Sequence, residues 1–188
     1  MSYNLSGKDF LIVCSFIWIL IRVFSFFLKK KHFSYNLILN ELLYFSLMTY
    51  CSMAIGLTIF PLRFGSPIVD EIYLNLIPFS SSMYEHIYVM PLLKNIIGNF
   101  LLLFPLGFYI PLLSNVKKVS MKRILFIGLL TSCSIEIIQL LTNILRISGS
   151  TRITDINDII LNTLGIIVGY FIYSNFFSKF LKELFNRK

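Results

Sequence analysis

The sequence predicts an all-α integral membrane protein, a bundle of five transmembrane helices forming a single membrane domain over residues 1–188. Three observations predict it. Hydrophobic residues make up 56% of the chain and charged residues only 14%, where a soluble domain carries about a quarter. Five apolar runs each reach about 19–22 residues, enough to cross a hydrocarbon core at 1.5 Å per residue. The lysines and arginines gather in short blocks between those runs. The formal charge of +8 therefore does not mark a nucleic-acid-binding protein, because no soluble stretch is left to hold such an interface.

The first run, about residues 10–28, contains FLIVCSFIWILIRVFSFFL and is followed by KKKH. A cleaved signal peptide carries its positive charge in front and a small-residue site behind, so this run is expected to stay in place as a helix. Arg22 inside it lies about two turns from Lys29 and reads as structural, snorkelling toward the same surface. The second run covers about 42–60. Pro61 to Lys94 is then a long connection in which Pro61, Pro67, Pro78 and Pro91 forbid an uninterrupted helix. Its apolar stretches, YLNLIPF and MYEHIYVMPLL, predict that it lies on the membrane surface or folds back over the bundle. His86, beside Glu85, reads there as an ordinary surface residue. The last three runs cover about 95–113, 124–145 and 157–177. Cys14, Cys51 and Cys133 fall inside apolar runs without CxxC spacing, which reads as buried free thiols rather than a disulfide framework or a zinc site.

Orientation follows from the basic residues. KKKH holds three lysines, SNVKKVSMKR four basic residues and the tail from Ser174 another four, all on one side of a five-span topology. Lys8, Arg63, Lys94, Arg146 and Arg152 fall on the other. The positive-inside bias therefore places the N-terminus outside and the C-terminus in the cytoplasm, with the long connection between the second and third spans outside.

Polar residues inside the spans are costly, about 2.5–3.5 kcal/mol for a charge at the centre on insertion scales, and their spacing is informative. Asp155, Asp158, Asn162, Gly165 and Gly169 are spaced as one helical stripe, with Arg152 at its mouth. Gly165 and Gly169 form a smooth strip that lets a neighbouring helix come close. Ser132, Glu136, Gln139 and Asn143 make a second stripe on the fourth span. Asn95 and Asn99 stand one turn apart near the outer end of the third, where Pro105 is expected to kink the helix and Gly98 and Gly107 to loosen it. The lowest-cost arrangement gathers Asn95, Asn99, Glu136, Gln139, Arg152, Asp155, Asp158 and Asn162 around one polar pocket open to the exterior. Arginine and the amides donate there, and the carboxylates accept.

The segments NLIPF, NIIGNFLLLFPLGFYIPLL, EIIQLLT and RITDINDIILNTLGIIVGY, in that order, resemble the VanZ-like membrane proteins, named after a teicoplanin-resistance protein of glycopeptide-resistance clusters. The resemblance covers about residues 73–172 and does not extend to the first two spans. It implies functional roles for Asn95, Asn99, Pro105, Glu136, Gln139, Arg152, Asp155, Asp158 and Asn162. Asn157 departs from the pattern, standing where an acid is more readily pictured. The resemblance implies a place in the bacterial cell envelope, some members lowering susceptibility to teicoplanin, and supplies no agreed reaction.

Three functions compete. The favoured one is a non-catalytic, multi-pass protein of the bacterial cell membrane whose outward cavity binds an envelope lipid or a lipid-bearing glycopeptide. Its partners are the bilayer and that ligand, with no nucleic acid, no metal and no cofactor; a homo-oligomer is allowed. In the second, an intramembrane enzyme acts on a lipid-linked substrate, with Glu136 as general base and Asp155 and Asp158 orienting it or holding Mg²⁺ or Ca²⁺. The chain has no Ser-His or Cys-His pairing and no HExxH for familiar hydrolase chemistry. In the third, a lipid transporter or flippase, protonation of Glu136 gates movement, but five helices without an inverted repeat suit a complete transporter poorly. Simple helix packing would need two or three polar residues, not eight at one depth.

Overall fold

The computed structural model describes residues 3–29, 34–64, 72–79, 89–114, 119–150 and 152–185. Its helices contain five segments long and apolar enough to cross a membrane: Gly7–Leu28, Tyr35–Thr58, Val89–Leu113, Met121–Ile144 and Ile156–Leu184. Large side chains along them lie open, as a lipid-facing surface requires; Phe16, Phe24, Phe27 and Leu28 are 63–73% exposed. The expected all-α architecture thus holds for the spans. Among the described residues, four three-residue strands, which the sequence did not announce, are added in two pairs.

Two compact units divide the chain. The first holds Met1–Asp70 and Leu145–Thr151. Strand β1 (Tyr3–Leu5) leads into helix α1 (Gly7–Lys29), and helix α2 (Tyr35–Thr58) into strand β2 (Leu62–Phe64). Ser34 caps α2 by accepting the Leu37 N–H at 3.2 Å, which starts this helix seven residues ahead of the expected position 42. The early start brings Glu41 into the helix. Arg22 does not simply snorkel toward Lys29, as expected, but forms a bidentate ion pair with Glu41. Near the other end of the pair, a Cβ added to Gly7 would lie 2.6 Å from the Gly56 carbonyl oxygen, so the two backbones touch. Arg22 opposite Glu41 and Gly7 opposite Gly56 fix one antiparallel register. β1 and β2 pair antiparallel, and residues 147–149 join their end of the unit: the Arg63 N–H donates to the Ile147 carbonyl at 2.8 Å and the Gly149 N–H to that of Pro61 at 2.9 Å.

The second unit holds Glu71–Ile144 and Arg152–Lys188. Its described elements are strand β3 (Tyr73–Asn75), helices α3 (Val89–Leu103), α4 (Leu106–Leu113) and α5 (Met121–Ile144), strand β4 (Ile153–Asp155) and helix α6 (Ile156–Ile172). A π-helical turn, Tyr173–Phe177, and helix α7 (Ser178–Leu184) continue α6. The expected interruption at Pro105 is the break between α3 and α4, since proline donates no N–H to the preceding turn. Expectations for Glu85, His86 and the stretch around them lie outside the described residues.

Helix α6 packs against α3, α4 and α5. Its small-residue face makes this possible. A Cβ on Gly165 would overlap the Phe100 carbonyl oxygen, and one on Gly169 that of Phe104, so α6 lies directly on the backbone of the α3–α4 segment. Leu103, Val119, Ile124, Ile166 and Tyr170 form the apolar core, with the Tyr170 hydroxyl donating to the Val119 carbonyl.

Candidate functional site

On α5 the predicted stripe points inward. Ser132, Glu136, Gln139 and Asn143 are 0%, 3%, 8% and 2% exposed, while Ile137, next to Glu136, is 56% exposed. Hydrogen bonds explain how hydrocarbon tolerates these groups. The Asn162 amide of α6 donates to the Ser132 hydroxyl at 3.0 Å. The Asn143 amide donates to the Arg152 carbonyl at 3.0 Å. Glu136 accepts the backbone N–H of Asp155 at 3.1 Å.

The start of α6 differs from the expected continuous helical stripe. Arg152 and Asp155 precede the helix. Residues 153–155 form β4, paired in parallel with β3 so that Asn75 stands beside Asp155. Asp155 is the N-cap, with extended backbone (φ −125°, ψ 125°), and its carboxylate accepts the Asn157 N–H at 2.8 Å. The capping role stops the helix at this residue, so the stripe proper begins at Asp158 and runs through Asn162 to the two glycines. Asp158 lies in the first turn, where the helix dipole favours an acidic side chain.

Helix α3 supplies the third side. Asp158 Oδ1 accepts from the Asn99 amide, and from that of Asn95 at 3.4 Å, while Asn99 also donates to Asn95 Oδ1 at 3.2 Å. Asn99 is half-buried and Asn95 exposed, so Asn99 is the firmer contact. Glu136 lies within electrostatic reach of Asp158, Asp155 and Arg152. Burial pushes the Arg152 guanidinium below its ordinary pKa, and the Glu136 carboxylate opposes that shift. Asn95, Asn99, Glu136, Arg152, Asp155 and Asp158 are therefore joined around the first turn of α6. Asn162 is joined to Ser132 one turn further along, and Gln139 is buried on the same α5 face.

Two further residues belong to this cluster and were not singled out by their spacing. The Asn75 amide donates to Asp155 Oδ1 at 2.9 Å. Asn157 Oδ1 accepts the Phe79 N–H at 3.0 Å, a task that the amide oxygen performs as an acid would. Together they fasten residues 75–79 to the head of α6. The NLIPF motif was the signal available for Asn75.

Not every acceptor is used. Among the described residues, Glu136 Oε1, Asn143 Oδ1 and Asn162 Oδ1 have no hydrogen-bond partner. No three His, Cys, Asp or Glu side chains among the described residues are arranged to hold a metal ion. Chemically the cluster can accept hydrogen bonds from N–H and O–H groups and can present one guanidinium to an anion.

The family model described as VanZ/LLP1 matches residues 45–178. The match takes in every residue of the polar cluster. It begins within α2, so the second span, expected to lie outside the resemblance, is partly included. No curated protein and no solved structure gives a significant match to the chain.

Proposed function

The chain belongs to the VanZ/LLP1 family, and from that premise we propose that it works in the bacterial cell envelope, lowering susceptibility to teicoplanin-type lipoglycopeptides. In this reading it is a multi-pass protein of the cell membrane with its N-terminus outside and its C-terminus in the cytoplasm. The polar cluster lines an outward-facing cavity that receives an envelope lipid or the lipid-bearing glycopeptide itself. Asn95, Asn99, Glu136, Gln139, Arg152, Asp155, Asp158 and Asn162 bind it.

The observation that carries the proposal is the use made of Glu136. Its side chain is buried, yet only Oε2 has a partner among the described residues, so Oε1 is left to accept from a ligand. Peptide amides and sugar hydroxyls are rich in such donors, and Arg152 suits a carboxylate or phosphate on the same molecule. Arg152→Ala and Glu136→Gln should each abolish a teicoplanin phenotype while expression holds. Unchanged minimum inhibitory concentrations in both well-expressed variants overturn the proposal.

The same oxygen favours one second reading, an intramembrane enzyme acting on a lipid-linked envelope substrate with Glu136 as general base. A lipid altered in membranes lacking the protein, and restored by wild type but not by Glu136→Gln, selects that reading over binding alone.

A further inference from the structure

The first unit contains a groove of about 550 Å³ between α1 and α2, a size typical of sites for small molecules. Its walls are mostly apolar, with Trp18 and Phe45 toward one end and Phe27 and Leu37 toward the other; Arg22, Glu41 and Ser25 are the polar residues that line it. Arg22 gives Nε and Nη2 to the Glu41 carboxylate. Its guanidinium also lies 5.4 Å from the Trp18 ring centre and 5.7 Å from that of Tyr44. Among the described residues nothing accepts from Nη1. The two side chains remain 33% and 37% exposed. In water this would be an ordinary surface ion pair. Inside an apolar span no solvent satisfies the remaining donors, so something in the groove must.

We propose that this groove is a site for an anionic phospholipid, its phosphate accepting from Arg22 Nη1 and one acyl chain lying along the apolar walls. Charge complementarity selects the occupant. Glu41 covers one edge of the guanidinium, leaving the Nη1 edge for a second anion. The groove extends toward the end of α1 where Lys29, Lys30 and Lys31 follow in sequence, a basic block that favours anionic headgroups. A second copy of the chain packed there would fill the volume with apolar side chains and leave Nη1 without an acceptor.

The full chain is reconstituted in mixed phosphatidylglycerol and phosphatidylethanolamine vesicles and re-extracted in mild detergent, and its retained lipid is counted by native mass spectrometry. Wild type should keep about one phospholipid per chain, enriched in phosphatidylglycerol over the vesicle composition. Arg22→Gln combined with Glu41→Gln should lower the bound lipid by roughly fivefold or more. Ser25→Trp leaves the ion pair in place and fills the groove, so it should lower retention similarly even where the double variant is poorly folded. Gly98→Ala, whose added methyl meets nothing within 4 Å, should retain lipid as wild type does. Lipid-free wild type, retention in the proportions of the vesicle, or unchanged retention in both groove variants overturns the proposal. So does a lipid-free dimer, which assigns the groove to a second copy.

Discussion

Glu136 accepts the Asp155 backbone N–H at 3.1 Å, so a carboxylate inside one apolar helix holds the residue that caps the next. Removing the side chain leaves a part-buried N–H without an acceptor, at a cost of about 1–3 kcal/mol. Glu136→Ala should therefore lower the thermal midpoint of the detergent-solubilised protein. Glu136→Gln keeps an acceptor oxygen and should lie closer to wild type in the same melt. Equal midpoints for Glu136→Ala and wild type would remove this contact from the account of the fold.

The two α3 asparagines should not behave alike. Asn99 is half-buried and bonded to Asp158, whereas the Asn95 contact is 3.4 Å long and exposed, near the limit for a useful hydrogen bond. Asn99→Ala should cost about 1–3 kcal/mol and Asn95→Ala less than about 1 kcal/mol. Asn99→Asp, which sets a second carboxylate beside Asp158, should be worse than either. Thermal unfolding of the three variants ranks them directly.

Gly165 and Gly98 form a matched pair for testing helix approach. A methyl group at Gly165 meets the Phe100 carbonyl, while one at Gly98 meets nothing within 4 Å. Gly165→Ala should destabilise by about 1–3 kcal/mol through overpacking. Gly98→Ala should be neutral or gain about 0.5–1 kcal/mol from helix propensity. Similar effects at both positions would mean that α6 does not rest on the α3 backbone.

Arg22 and Glu41 should show strong non-additivity. Each single change to Gln strands the other charge in the span, so either one should reduce folded yield and melting temperature more than the double change does. A double-mutant cycle on thermal midpoints measures this, and simple additivity would contradict the pair.

The sequence carried the spans and much of the cluster for physical reasons that can be named. Helices crossing lipid need long apolar runs, and these are visible without a partner. The inward face of α5 was readable because Ser132, Glu136, Gln139 and Asn143 recur at helical spacing. The β3–β4 pairing was not readable. Three residues are too few to show alternation, and the backbone partner of Asn75 lies 80 residues away at Asp155. Asp155 looked helical for the same reason: its spacing to Asp158 fits a turn of helix, but a cap occupies that spacing too. Asn36, Asn40 and Glu41 dilute the hydropathy at the start of α2, so the apolar run alone does not place Glu41 in the span. Only the ion pair with Arg22 reveals why a charge belongs there.

That antiparallel register, Gly7 against Gly56 and Arg22 against Glu41, bears on how the protein is made. A lone α1 would carry a bare guanidinium into the bilayer, whereas α1 and α2 delivered together enter as a hairpin that is neutral at that level. The translocation machinery should then release the first two segments as one unit, and shortened versions of this protein should keep both or begin after Thr58.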